Sequence, residues 1–223
     1  LKYHGGVKKE DLTEENLVAL EKGVPNLLRH VKNITEVYKL PSVVAINRFP
    51  TDTDEEIALI IKKCGELGVN VKLSEVWAKG GKGGIELAEE VVRLCEKDND
   101  FTYSYKTDDT IENKILAVVK NIYGGDGVSF TASAKKQIAE LEKLGYGSLP
   151  VCIAKTQYSF SDDPTKLGAP SGFTVDVKNV KVSSGAGFIV VYTGEIMTMP
   201  GLPKVPAAEK IDVNEKGVIF GLF

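Results

Sequence analysis

Residues 43–95 read VVAINRFPTDTDEEIALIIKKCGELGVNVKLSEVWAKGGKGGIELAEEVVRLC, and this stretch decides the fold class. The continuous apolar run Val43, Val44, Ala45, Ile46 behind Pro41 predicts a buried parallel strand. Asp52 or Thr53 is placed to cap a helix that runs to about Leu67, where Gly68 stops it. Val69, Val71, Leu73 and Val76 predict a second strand finishing near Trp77. The glycine run Gly80, Gly81, Lys82, Gly83, Gly84 then opens a helix from Ile85 to Glu96, with Leu87, Val91, Leu94 and Cys95 on its apolar face. Strand, helix, strand, loop, helix is the order that makes parallel sheets with right-handed crossovers.

Upstream, Leu17, Leu20, Val24, Leu27, Leu28 and Val31 recur at helical spacing behind Thr13, a candidate N-cap, and Pro25 is placed to divide or kink that helix. Downstream, the alternation of Phe101, Tyr103 and Tyr105 suggests a third strand. Helices are expected at about 110–122 and 132–144, with Tyr123–Gly127 between them, and a short apolar strand at 149–154. A polar loop from Lys155 to Gly172 follows, of a length usually reserved for function or disorder. Apolar residues at 174–182 and 187–197 continue without an intervening helix, so the sheet should become mixed. The expected class is α/β, a mixed, largely parallel sheet with flanking helices.

Composition narrows the function. In 223 residues, 28 Lys and Arg against 31 Asp and Glu leave a net charge of −3, which argues against a nucleic-acid partner. No apolar run approaches the roughly 20 residues that cross a bilayer, so no membrane partner is expected. Cys64, Cys95 and Cys152 form no CxxC pair, indicating neither a disulfide framework nor zinc, and a reducing, cytoplasmic setting is the simplest expectation. His4 and His30 are the two histidines, too few for a His-rich metal site, and no metal ligand set is expected. The opening Leu1, Lys2, Tyr3, His4, Gly5, Gly6 suggests a piece of a longer protein.

Ligands of open α/β sheets bind beyond the carboxyl ends of the strands. Phe49 follows the first predicted strand and Trp77 ends the second, so neighbouring strands would let the two rings hold a flat heteroaromatic group. Spacing alone leaves that reading beside the commoner one of ordinary core aromatics. Gly80–Gly84 is either an anion cradle at a helix start or a flexible loop, and it does not match GxxxxGK[ST]. Asp126, Asp162 and Asp163 read as turn or cap carboxylates, and Glu55, Glu56, Glu89 and Glu90 as solvated helix faces.

Six segments together resemble the formate–tetrahydrofolate ligases: LKYHGG (1–6), VVAINRFPTDT (43–53), LSEVWAKGG (73–81), YGGDGV (123–128), AKTQYSFSDDP (154–164) and MPGLPKVP (199–206), in family order over the whole chain. The resemblance is to the C-terminal portion of a larger multidomain P-loop-type enzyme. It implies ligation of formate to tetrahydrofolate through formyl phosphate, giving 10-formyltetrahydrofolate, ADP and phosphate. It implies MgATP and tetrahydrofolate as substrates, activation by monovalent cations, no tightly bound prosthetic group, and a homotetramer. The phosphate cradle would come from the N-terminal P-loop portion of the same protein, so this chain alone is expected to be inactive and its catalytic residues are left unknown.

By the same resemblance the pterin lies between Phe49 and Trp77, with Leu73 as an apolar neighbour. Residues 1–35 are expected to end the nucleotide-binding domain, and 36–223 to form the C-terminal α/β domain with the folate site. Arg48 is a candidate for the folate carboxylates, against a surface ion pair. His4 is a candidate for a place near the nucleotide, against a packed or turn histidine. A noncatalytic folate-binding or assembly module of a split protein is the alternative from another class. A generic nucleotide-binding domain built on the Gly80–Gly84 loop is a third.

Overall fold

The computed structural model describes residues 1–194, 196 and 205–221, so most of the MPGLPKVP segment lies outside the described residues. A tight 3-10 turn, Lys2–Gly5, packs against helix α1 (Leu17–Lys32). Asn16 rather than Thr13 caps α1, its side chain accepting a hydrogen bond from Ala19 N at 2.9 Å. Pro25 sits inside α1 without ending it. The helix buries Ala19, Leu20, Gly23, Val24 and Val31 along one face, and this packing outweighs the bond that Pro25 removes. A wider π turn, Asn33–Val37, extends α1, and its Asn33 amide donates to Ile122 O at 2.9 Å.

Strand β1 (Val43–Asn47), helix α2 (Asp54–Gly65) and strand β2 (Asn70–Ser74) form a parallel β–α–β unit, in register from Val43 opposite Asn70 to Asn47 opposite Ser74. Thr53 caps α2 by accepting from Glu56 N. Asp54, Glu55 and Glu56 in the first turn suit the positive end of the helix dipole. The expectation that β1 is buried is corrected: Val43, Val44 and Ile46 are half-buried and Ala45 is exposed, because β2 is the only strand that pairs with it among the described residues. The second strand also ends earlier than expected. Beyond Ser74 the chain turns into a short helix, α3 (Val76–Lys79), which carries Trp77, then a 3-10 turn, Gly80–Gly84, and helix α4 (Ile85–Cys95).

Two of the glutamates read as solvated are not. Glu56 is 4% exposed and Glu90 7% exposed. Glu90 on α4 accepts from Asn70 Nδ2 on β2 at 2.9 Å, and from Arg93 Nε and Nη2 at 2.8 and 2.6 Å. These bonds, the Arg93 pair first and Asn70 second, hold its carboxyl down at about 2. A carboxylate with a lowered native pKa stabilises the fold above the unfolded value and loses that contribution as pH falls toward the native value. Stability should therefore decline between pH 4.5 and about 2, and Glu90→Gln should flatten that part of the profile. Urea titrations at stepped pH test this; an unchanged acid limb in the variant counts against the role.

The stretch with Phe101, Tyr103 and Tyr105 forms no strand. Its polar groups bind single points elsewhere: Thr102 N and hydroxyl donate to Tyr38 O and Val37 O, and the Tyr105 hydroxyl accepts from Val151 N at 3.0 Å. Helix α5 (Ile111–Val118) follows, capped by Thr110 and extended by a second π turn, Val119–Tyr123. Strand β3 (Gly127–Phe130) has no counterpart in the sequence reading, and helix α6 (Ala132–Lys143), capped by Thr131, comes next.

Strands β4 (Val151–Ala154), β5 (Thr174–Ser183) and β6 (Phe188–Thr193) join β3 in a four-stranded sheet of order β3-β5-β6-β4. The β3–β5 and β4–β6 pairs are parallel and β5–β6 is antiparallel, so the sheet is mixed as expected. A register shift between Val177 and Asn179 lets Val175, Val177 and Val180 all reach the core, where strict alternation would have turned Val180 away. These valines, with Ile189 and Val191, pack against Ile111, Ile115 and Val119 beneath α5 and Ala134, Ile138 and Leu141 of α6. Each such side chain contributes about 1.5–3 kcal/mol by leaving water. Lys114, fully buried at the edge of this core, donates from Nζ to Gly147 O at 2.6 Å and Leu149 O at 3.0 Å. A small antiparallel ribbon of β7 (Asp212–Val213) and β8 (Ile219–Phe220) closes the described chain.

Candidate functional site

The β1–β2 register brings Phe49 and Trp77 to the carboxyl ends of adjacent parallel strands. Arg48 N donates to Ser74 O at 3.1 Å, carrying the ladder one step past the strands. The backbone then folds back: Phe49 N donates to Asp52 Oδ2 at 2.8 Å and Asp52 N to Phe49 O at 3.0 Å. Pro50 and Asp52 thereby fix the direction in which Phe49 leaves the sheet. On the other strand, Glu75 O accepts from Ala78 N and Lys79 N, forming the turn of α3 on which Trp77 stands.

The glycine loop explains why that turn sits where it does. Glu75 N donates to Gly83 O at 3.0 Å, and a Cβ at Gly83 would lie 2.4 Å from Glu75 O and 2.9 Å from Val76 N. Only a residue without a side chain allows this backbone approach. Gly80, at φ 57° and ψ −148°, makes the preceding bend. The loop thus acts as a support for the Trp77 turn.

Phe49 is 53% exposed and Trp77 64% exposed, so neither ring is a core aromatic. Leu73, one step back on β2 and paired in register with Ile46, is half-buried between the sheet and the surface. Large apolar rings left in water at a strand end lack packing partners and gain from a flat ligand. Trp77 is the single tryptophan of the chain.

Other sequence candidates fall elsewhere. Arg48 Nη2 pairs with Asp54 Oδ1 at 2.7 Å, in the surface ion pair that was the plainer reading. Asp126 is exposed in a turn, its N–H donating to Phe173 O. Asp162 Oδ2 accepts from Asp176 N, and Asp163 Oδ1 accepts from Thr165 N and its hydroxyl, so both serve their loop. His4 lines a separate cavity of about 160 Å³ together with residues of the 155–172 loop. A cavity of about 1410 Å³ is lined by residues such as Tyr38, Tyr105, Asp109 and Tyr123, and includes neither Phe49 nor Trp77. Among the described residues no group of three or more His, Cys, Asp and Glu side chains is placed to hold a metal ion. No helix of the described residues is long and apolar enough to cross a membrane.

Lys155 is the polar residue that the sequence reading passed over. It stands in the AKTQYSFSDDP segment, and its single cationic charge just past an apolar strand was the available signal. Burial lowers its pKa to about 8 against a smaller opposing pull from Asp162. In a comparison with protein-family models, the one described as formate–tetrahydrofolate ligase matches residues 1–223.

Proposed function

From the premise that this chain belongs to the formate–tetrahydrofolate ligase family, whose members join formate to tetrahydrofolate at the expense of ATP, we propose that this part of the enzyme binds the pterin of tetrahydrofolate between Phe49 and Trp77, with Leu73 as the apolar neighbour. The observation that carries the reading is the pair of solvent-exposed rings at the carboxyl ends of two hydrogen-bonded parallel strands. A pterin offers two broad faces, and two fixed rings bury both at little entropic cost because aromatic side chains have few rotamers to lose.

Formate itself is a poor electrophile. Activation by ATP, as formyl phosphate, would make N10 attack possible, and a pterin fixed by its faces would hold N10 beside the acyl group and reduce the entropic part of the barrier. Magnesium would arrive bound to ATP and would offset charge on its phosphates. The phosphate cradle belongs to an N-terminal P-loop portion of the same protein, with residues 1–35 as the end of the nucleotide-binding region and 36–223 as the folate region. Monovalent-cation activation, a homotetrameric assembly and a cytoplasmic setting complete the proposal.

Trp77 reports on its own site. Tetrahydrofolate should quench its emission saturably, and Trp77→Phe should abolish that component; quenching that survives the substitution would place the pterin elsewhere. A second test addresses the support beneath the ring. Gly83→Ala must push Glu75 or the glycine loop aside, and it should weaken tetrahydrofolate binding by about tenfold through displacement of Trp77. Equilibrium titration measures this, and an unchanged affinity would sever the loop from the site.

A further inference from the structure

Three of the six family-like segments meet at a place that the pterin reading does not use. The cavity of about 160 Å³ is walled by His4 of the first segment, Tyr123 of the fourth and Lys155 and Gln157 of the fifth, with Asn26 and His30 from α1. Residues from four separate parts of the chain therefore converge there, and both histidines of the protein are among them.

The wall carries hydrogen-bond donors and one cation, and no carboxylate. Lys155 Nζ donates to Thr156 O at 2.9 Å and also to Ser159 O, and it stands 5.0 Å from the centre of the Tyr123 ring. Those two carbonyls use two of its three protons. His4 Nδ1 accepts from Gly168 N at 3.1 Å, which assigns the ring proton to Nε2 and leaves an N–H donor. Asn26 Nδ2 donates to Gly168 O, so the same glycine fixes two walls.

The electrostatics show what is missing. Burial is the main cause that lowers the pKa of His4, His30 and Lys155 alike, and basic groups add to it: Lys155 disfavours charge on His30, and the Leu1 amine and then His30 disfavour it on His4. The one carboxylate that acts on Lys155 is Asp162, and its oxygens already serve Asp176 N and the Ser161 hydroxyl. A cation held by neutral carbonyls in a partly desolvated wall gains from an anion. Size sets the class. The volume has room for a small ion with its water and lies below the roughly 300 Å³ of sites for drug-sized ligands.

We propose that this cavity is a binding site for a small oxyanion, a monocarboxylate or inorganic phosphate, held by Lys155 Nζ and His4 Nε2–H. The site is independent of the pterin face, and either can fail without the other.

The test is a titration of protein labelled with 15N-histidine, with inorganic phosphate and with acetate, against chloride at matched ionic strength. His4 and His30 ring signals, assigned from single-histidine variants, should shift saturably with phosphate, with acetate or with both, and the tighter of the two identifies the source of the anion. Lys155→Met should weaken the binding by about tenfold or more, Lys155→Arg by less, and Lys136→Met at an exposed position on α6 not at all. If circular dichroism shows Lys155→Met unfolded, the unmodified protein decides. Facing Lys155 are His4, His30, Tyr123 and Asp162. The two imidazoles are neutral above pH 7, and Tyr123, pushed up to about 12, keeps its proton. Affinity should then fall about tenfold between about pH 7 and about pH 9.5 as Lys155 loses its charge. Absence of a saturable shift, an equal response to chloride, unchanged affinity in folded Lys155→Met, or a flat pH response would each overturn the proposal.

Discussion

Trp77→Ala should weaken tetrahydrofolate binding by about 10- to 100-fold, the scale of one lost base–aromatic stack, while the urea midpoint of the protein should stay where it was. A ring that is 64% exposed on a four-residue helix contributes little to the core, so its loss reads on the ligand and not on the fold. Phe49→Ala should act similarly, since Phe49 is 53% exposed and its turn is held by Asp52 rather than by its ring. The double variant distinguishes a sandwich from two separate contacts. Rings that hold opposite faces of one pterin are coupled through it, so the two losses should not add. Simple additivity in equilibrium binding would mean that the rings touch the ligand separately, and full affinity in either single variant would remove that ring from the site.

The largest stability effect belongs to a different place. Lys2→Met should cost about 3–5 kcal/mol, because it strands a buried carboxylate. Lys2 Nζ lies 3.0 Å from Glu56 Oε1 and 3.2 Å from Oε2, and also donates to Glu14 O at 2.8 Å. Glu56 Oε1 accepts from Asn16 N at 2.9 Å, so one carboxylate on α2 holds both the N-terminal turn and the entry to α1. Without the lysine that oxygen pair keeps a single backbone donor in a site 4% exposed. Replacing both partners, as Lys2→Met with Glu56→Leu, should recover much of the loss, because no charge is then left buried. Urea unfolding of the two variants measures the difference. A loss under about 1 kcal/mol for Lys2→Met would mean that the pair behaves as a surface bridge.

The β1–α2–β2 unit was legible because its signals are local. An apolar run, a capping Thr53 and a stopping Gly68 act within a few residues of one another. β3 was not, since Gly127–Phe130 is a strand only through Thr174–Val177, 47 residues away. Phe101, Tyr103 and Tyr105 had the alternation of a strand but no neighbouring ladder to join, and long-range partners decided the outcome. Trp77 left its expected strand because Gly83 O reaches Glu75 N from beyond the turn, a contact invisible in spacing. Position at a strand end was readable for Phe49 and Trp77, but exposure was not, and exposure separates a ligand face from core packing. The Lys155 cavity lay furthest from view: its hydrogen bond from Gly168 to His4 spans 164 positions.

The strand order has a consequence for the chain as it is made. β3 and β4 are not neighbours; the β5–β6 hairpin fits between them and supplies the partner of each. At about 5–20 residues per second, several seconds of synthesis separate Phe130 from Thr193. During that interval Ile111, Ile115, Ile138 and Leu141 of α5 and α6 have β3 and β4 residues such as Val128 and Ile153 to pack on but still lack Val175, Val177, Val180, Ile189 and Val191. The nascent polypeptide thus presents a partly uncovered, helix-borne apolar surface until the β5–β6 hairpin arrives, and its dependence on holding chaperones should fall once Thr193 clears the exit tunnel.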